Sequence, residues 1–320
     1  MQKKSVLILG GSGQDGAFLA QAFCSKNVVA HSISRNFSPR IFDLGVTQTQ
    51  LDLTSSIDLQ EKLFEINPDV VINLVSLSSV ALCEANPEIS EAINFTLVKK
   101  LVSSVEEFAK KTSKEIHFLQ ASSSEMYGIG NEFCNEQTVM NPVTTYGKHK
   151  LSSHKFLLER HNQFVRYTSV VLFNHESEFR PENFVSSKVA RAAAEVERFG
   201  STELEFGNIL SRRDWGYAGD YMNAMAEISL EGTQNCYVVA SSELHSVEDM
   251  IRVAFESVGI SNYKAHIKFN DEYVRLIETP PIRGDNTLCK NEFGWAPTLT
   301  FEELVQKMVL NKLHEMENKR

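Results

Sequence analysis

Residues Leu7 to Phe23 read LILGGSGQDGAFLAQAF. The apolar run Val6–Leu9 leads into Gly10, Gly13 and Gly16 at G-x-x-G-x-x-G spacing, and beyond them the apolar period changes from strand-like to helix-like. A glycine turn that follows a strand and opens a helix aims backbone N–H groups and a helix N-terminus at one point, which suits the pyrophosphate of a dinucleotide. A strand-to-helix turn that merely needs glycine would share the spacing. The flanking strand and helix favour the dinucleotide.

Working outward, further apolar runs at Val28–Ile33, Val70–Val75, Ile116–Leu119 and Ser169–Phe173, with a short strand at Gln50–Leu53, alternate with helical patterns. Those patterns cover Gln14–Lys26, Ser56–Ile66, Glu88–Lys110 and Tyr146–Arg160. The alternation predicts an α/β fold, a Rossmann-type doubly wound parallel sheet buried on both faces. Residues 1–173 form its nucleotide-binding core. From about residue 174 the pattern loosens, which predicts a smaller C-terminal substrate-binding lobe over 174–320, with some segments returning to the core. Near the end, Thr300 and Glu303 make a capping-box signature, and Phe301, Leu304, Val305 and Met308 share one apolar helical face.

The formal net charge of -9 argues against nucleic acid or anionic membrane as a partner, since both need an excess of Lys and Arg. Any anionic ligand must be met by a local cationic cluster. Cys24, Cys83, Cys134, Cys236 and Cys289 are scattered, with no C-x-x-C pair and no Cys/His cluster at metal-ligand spacing, so neither a metal nor a disulfide is expected. The apolar run after MQKK is too short for a signal peptide or membrane span, and a cytoplasmic protein is expected.

About twenty residues after the glycine turn, NAD-specific sites place an acidic residue on the ribose 2′-hydroxyl. Here the chain reads HSISRN, with Ser34 and Arg35 and no carboxylate. A guanidinium suits a 2′-phosphate, so NADP is expected over NAD. Arg35 and Arg40 as ordinary surface arginines are the alternative.

QASSSEMYG places Ser122, Ser123, Ser124 and Glu125 at the carboxyl end of the strand Ile116–Leu119, where ligands of open α/β sheets bind. TTYGKHK then sets Tyr146 and Lys150 four apart on one helix face. A lysine beside a phenol favours the phenolate, and a tyrosine acting as a base near neutral pH needs its pKa lowered from about 10.

With the glycine turn, these residues resemble the extended short-chain dehydrogenase/reductases and, among them, the GDP-mannose 4,6-dehydratases. GQDG, SSSEMYG, YGKHK, LFNHES, ENFV, RRDWG, the late GD and FGW stand in that family's order over nearly the whole chain. By position, the resemblance implies Ser123, Glu125, Tyr146 and Lys150 as the catalytic set. It adds Gln14, Asp15, Asp52 and Leu53 to the cofactor contacts and Asn174, Lys188, Arg213 and Arg275 to the GDP-sugar contacts. His175 and Glu176 read as structural supports.

In the implied reaction Tyr146 takes the 4-hydroxyl proton as hydride passes to NADP⁺, with Lys150 supporting the phenolate and binding the nicotinamide ribose. Glu125 removes the C5 proton, water leaves C6 with Glu125 or Ser123 as proton donor, and hydride returns to C6. The resemblance also implies a homo-oligomer, a dimer or a tetramer, built on the helices Glu88–Lys110 and Tyr146–Arg160. Several positions depart from the family. Its usual threonine is Ser123, its AQSH loop reads VSLSS around Leu77 and Ser79, its RSPY reads TTY, and the loop after Arg35 is shorter. Another GDP-sugar, a nucleotide-sugar epimerase or decarboxylase, and an NADP-binding regulator are the competing readings.

Overall fold

A computed structural model describes residues 3–54, 59–202, 205–270 and 279–318. Seven strands, β1 (Lys4–Leu9), β2 (Val28–Ser34), β3 (Thr47–Gln50), β4 (Val70–Asn73), β5 (Ile116–Ser123), β6 (Val165–Leu172) and β7 (Cys236–Val239), form one sheet. Their order is β3-β2-β1-β4-β5-β6-β7, and every pairing is parallel. The winding direction reverses between β1 and β4, which opens a crevice at the carboxyl ends of these two strands. The doubly wound parallel sheet expected from the alternation is present.

Helices α1 (Gln14–Cys24), α2 (Leu59–Ile66), α3 (Leu97–Thr112), α4 (Thr145–Leu158), α5 (Val185–Phe199), α6 (Ala218–Glu231), α7 (Val247–Glu256) and α8 (Phe301–Asn318) cover it and build the second lobe. Phe18 and Phe23 of α1 and Tyr221 and Met225 of α6 pack with Val6 and Ile8 in one core. Leu63 of α2 and Leu101 and Val105 of α3 pack with Leu7 and Phe118 in another. A third core, with Val189 of α5, Met250 of α7 and Leu304, Val305 and Met308 of α8, belongs to the second lobe. The capping box at the head of α8 is formed: Thr300 N–H donates to Glu303 Oε2 at 2.8 Å and Glu303 N–H to Thr300 Oγ1 at 3.2 Å. No helix among the described residues is long and apolar enough to cross a membrane.

Three elements differ from expectation. The strand expected at Gln50–Leu53 lies at Thr47–Gln50, because its register with β2 ends at the pair Ser34–Gln50, and Asp52 Oδ1 then closes a turn on the Thr54 N–H at 2.9 Å. Strand β7 has no counterpart in the sequence reading; it is only four residues long. The helix expected over Glu88–Lys110 is present as a continuous run, Pro87–Glu91 leading through a π turn at Ala92–Thr96 into α3. That turn places the buried Asn94 against the loop after β4, where its Oδ1 accepts from Leu77 N–H at 3.1 Å and Ser76 Oγ at 2.9 Å.

Candidate active site

The glycine turn joins β1 to α1 at the crevice. Gly10 has φ +88°, and a Cβ there would lie 3.1 Å from Val75 N; one on Gly16 would lie 2.3 Å from Gly11 Cα. Only glycine lets α1 pack this closely on the turn. Gly13 is the N-cap of α1, and no side chain caps the helix. The first N–H groups of α1 therefore point into the crevice without an intrahelical acceptor.

Gln14 and Asp15 send their side chains the other way, to the second lobe. Ser177 Oγ donates to Gln14 Oε1 at 2.7 Å, and His175 Nε2 meets Asp15 Oδ2 at 3.1 Å. His175 Nδ1 donates to Phe173 O at 2.7 Å, so both ring nitrogens face acceptors, an arrangement that favours the imidazolium over the neutral ring. Burial opposes the charge on His175, but Asp15 and the Phe173 carbonyl together outweigh it and raise its pKa above the usual value. Burial likewise opposes ionisation of Asp15, yet His175, Gln14 and Arg180 bring it down to about 2.

At the end of β2, Arg35 is exposed and Gln50 Nε2 donates to its carbonyl at 2.9 Å. Asp52 stands near it, held below the usual carboxylate range first by hydrogen bonds from Thr54 and also by the Arg35 charge. Leu53 is buried behind Asp52. Arg40 instead lies 4.4 Å from the Phe179 ring centroid, between the two lobes.

Strand β5 delivers the serines. Ser122 Oγ and His154 Nδ1 both meet Ser169 Oγ, at 2.8 and 2.7 Å, which fixes Ser122 inside the fold. Ser123 Oγ accepts from Glu125 N–H at 3.3 Å and starts the short turn Ser124–Met126 that presents the half-buried Glu125. Thr144 caps α4 through Gly147 N–H, so Tyr146 and Lys150 project from the first two turns toward the end of β5. Tyr146 faces Ser123, Ser76 and Glu125. Lys150 Nζ donates to Ala121 O at 2.9 Å and lies 5.7 Å from the Tyr146 ring centroid.

The expectation that Lys150 lowers the phenol's pKa does not hold for the protein by itself. Burial pushes Tyr146 up to about 12, against the hydrogen-bonding side chains of Ser76 and Ser123. Burial also pulls the Lys150 ammonium down to about 8. The low-dielectric pocket that can sharpen proton transfer first disfavours both charged forms.

Of the expected sugar-nucleotide residues, Asn174 pairs with Trp215 in a two-stranded parallel ribbon, and Arg213 lies two residues before Trp215. Lys188 sits in the first turn of α5. Arg275 lies outside the described residues. Glu176 is a support, as expected: it accepts from Ser186 Oγ at 2.6 Å and pairs with Arg180 at 2.9 Å. Two residues were not anticipated. The buried Asp214 gathers Ser241 N–H, Ser242 N–H and Gly284 N–H at 2.9 to 3.0 Å, fixing two loops beside Arg213. Thr279 Oγ1 donates to Glu125 Oε2 at 2.7 Å.

A glycine turn at the switch point, with a serine, a tyrosine and a lysine converging on the end of β5, defines an enzyme of the short-chain dehydrogenase/reductase class. The family model described as GDP-mannose 4,6 dehydratase matches residues 7–308, and the chain belongs to this family. The Arabidopsis thaliana protein GDP-mannose 4,6 dehydratase 1 is 33% identical, over 96% of this chain and 89% of that one. The Homo sapiens GDP-mannose 4,6 dehydratase is 30% identical, over 95% and 90%. Among solved structures, RMD from Pseudomonas aeruginosa complexed with NADPH shares the fold with TM-score 0.78 at 20% identity, covering 98% of this chain and 100% of that one. UDP-glucose 4-epimerase from Thermotoga maritima shares it with TM-score 0.84 at 16% identity, over 97% and 99%.

Proposed function

We propose that the protein removes water from a GDP-hexose, GDP-mannose being the substrate of choice, to give the 4-keto-6-deoxy sugar with NADP as a recycled cofactor. The observation that carries this reading is Glu125. A 4-epimerisation needs a base at O4 alone, whereas a dehydration also needs an acid/base at C5, and here a carboxylate stands beside Tyr146 in the same pocket. Protein incubated with NADP⁺ and GDP-mannose should release one water per sugar, read by mass spectrometry of the product. A product of unchanged mass with an inverted centre would favour the epimerase instead.

The crevice suits a dinucleotide. Gly10 needs a positive φ and Gly16 leaves no room for a Cβ, and the uncapped start of α1 offers N–H donors to a pyrophosphate. When bound, the nicotinamide supplies a hydride acceptor for the sugar C4 and a donor for C6. The chain's own residues do the rest. Tyr146 takes the 4-hydroxyl proton, with Lys150 holding its place through Ala121 O. Glu125 takes the proton from C5, and Glu125 or Ser123 protonates the departing hydroxyl. Gln14 and Asp15 contribute to the cofactor turn through their backbone N–H groups, since their side chains bind the second lobe. Residues 1–173 supply most of the cofactor side and 174–320 most of the sugar side, with Asn174, Lys188, Arg213 and Arg275 on the GDP-sugar.

NADP is favoured because Arg35 follows β2 with no carboxylate in the usual acidic position. Arg35→Ala should weaken NADP binding about 10- to 100-fold, the worth of a charge-assisted hydrogen bond, and leave NAD binding unchanged. Fluorescence titration of both cofactors reads this directly; equal losses for both would remove Arg35 from the 2′-phosphate.

Two copies pair in this reading through the helical run Pro87–Thr112 and α4. Ile89 and Leu82 are exposed beside it, and Phe95 meets Phe156 across the two helices. Light scattering should give twice the 36.0 kDa of one chain. A monomer at micromolar concentration would rule this pairing out.

A further inference from the structure

Glu125 accepts two hydroxyl hydrogen bonds, and both fall on the same oxygen. Thr144 Oγ1 donates to Oε2 at 3.2 Å and Thr279 Oγ1 donates to it at 2.7 Å. Among the described residues Oε1 accepts none. The two threonines differ in what holds them. Thr144 is the N-cap of α4, and its hydroxyl is shared with Gly147 N–H, so its place is set by the helix that carries Tyr146 and Lys150. Thr279 is buried and comes from 154 positions further along the chain. It lies on a strap that runs to Gly284, whose N–H is held by Asp214 next to Arg213.

We propose that Thr279 is a positioning residue for the elimination step: its hydroxyl, the shorter of the two bonds, anchors Oε2 of Glu125 and leaves Oε1 to exchange the proton with the sugar. This deepens the dehydratase reading and rests on it. In that step the C5–H proton passes to Oε1, the C5–H electron pair becomes the C5–C6 π bond, and the C6–O bond breaks. The hydroxyl leaves as water with a proton from Glu125 or Ser123. A carboxylate rotating about its last torsion would present either oxygen at varying distance. Two donors on one oxygen fix the rotation, and misplacing a reacting group by about 1 Å can cost on the order of 10²-fold. Because Thr279 enters from the second-lobe strap, the placement of Glu125 also depends on the segment that lies beside Arg213.

Thr279→Val keeps the shape of the side chain and removes the donor, Thr279→Ala removes the donor without a second methyl, and Thr279→Ser restores it. With NADP⁺ and GDP-mannose, the Val and Ala variants should form enzyme-bound NADPH at the wild-type rate, with KM unchanged. They should lose water about 10- to 100-fold more slowly. Thr279→Ser should recover most of the rate. Elimination within twofold of wild type in Thr279→Val overturns the proposal. So does a parallel fall of NADPH formation and elimination, or failure of both Val and Ala variants to fold by circular dichroism, since each makes Thr279 a packing residue. A wild-type protein that releases no water from GDP-mannose instead defeats the dehydratase reading, whatever the Thr279 variants do.

Discussion

Glu125→Gln should still bind the GDP-sugar and still reduce NADP⁺, because a neutral amide leaves the chemistry at O4 to Tyr146. Water loss should nearly stop, since removing a positioned acid/base typically costs about 10²–10⁴-fold. NADPH should then accumulate on the enzyme and be visible by absorbance, with little 4-keto-6-deoxy product. Thr144 and Thr279 both donate to Oε2, so an amide that turns its oxygen to them keeps both bonds, and the pocket survives the change. Tyr146→Phe should abolish the NADPH signal itself. Product formation by Glu125→Gln at nearly the wild-type rate would remove Glu125 from the elimination and leave a Glu125-independent reaction, such as epimerisation, as the better account.

His175→Ala should destabilise the fold by about 3 kcal/mol near pH 5.5, the low end for breaking a buried ion pair, because Asp15 keeps about a quarter of its side-chain exposure. The pH dependence has a definite sign. The His175 contribution, from a raised pKa, is fully present below the unfolded value of about 6.5 and is lost as pH rises through the folded one. The Asp15 contribution, from a pKa lowered to about 2, is present above the unfolded value near 4 and is lost as pH falls toward 2. The Arg180 guanidinium also faces the pair, lowering the pKa of both Asp15 and His175. Urea denaturation should therefore show the largest gap between wild type and His175→Ala between about pH 4 and 6.5, and a smaller gap at pH 9. A gap that does not change with pH would mean that the contact is not ionic.

What the sequence made legible was local. The β1–α1 turn declares itself because a strand, four glycines and a helix fall within seventeen consecutive residues, and the cap at Thr300 because it needs only four. A strand end drew attention to Ser122–Glu125 and a four-residue spacing to Tyr146 and Lys150, while the family resemblance singled out Ser123 and Glu125 within the first group. The role of Asp15 was not legible, because its partner is His175, 160 positions away, and no periodicity links two residues across such a distance. Thr279 and Asp214 escaped notice for the same reason. Strand β3 was displaced because TQTQ carries no apolar signal and its place is set by pairing with β2. The direction of the Tyr146 shift depends on how deeply the phenol is enclosed, which helix spacing alone does not reveal.

Strand β7 and helix α6 give the two lobes a common fate. Both come from beyond residue 174, yet β7 completes the sheet beside β6 and α6 packs on α1, the helix that follows the glycine turn. A polypeptide ending at residue 173 would leave Phe18 and Phe23 without the Tyr221 and Met225 side that closes over them, and would expose β6 as a bare edge. The sheet and the cover over α1 are therefore complete only with residues 218–239 in place. Cutting the chain at residue 173 should therefore part the sheet from its last strand and α1 from the helix that packs on it.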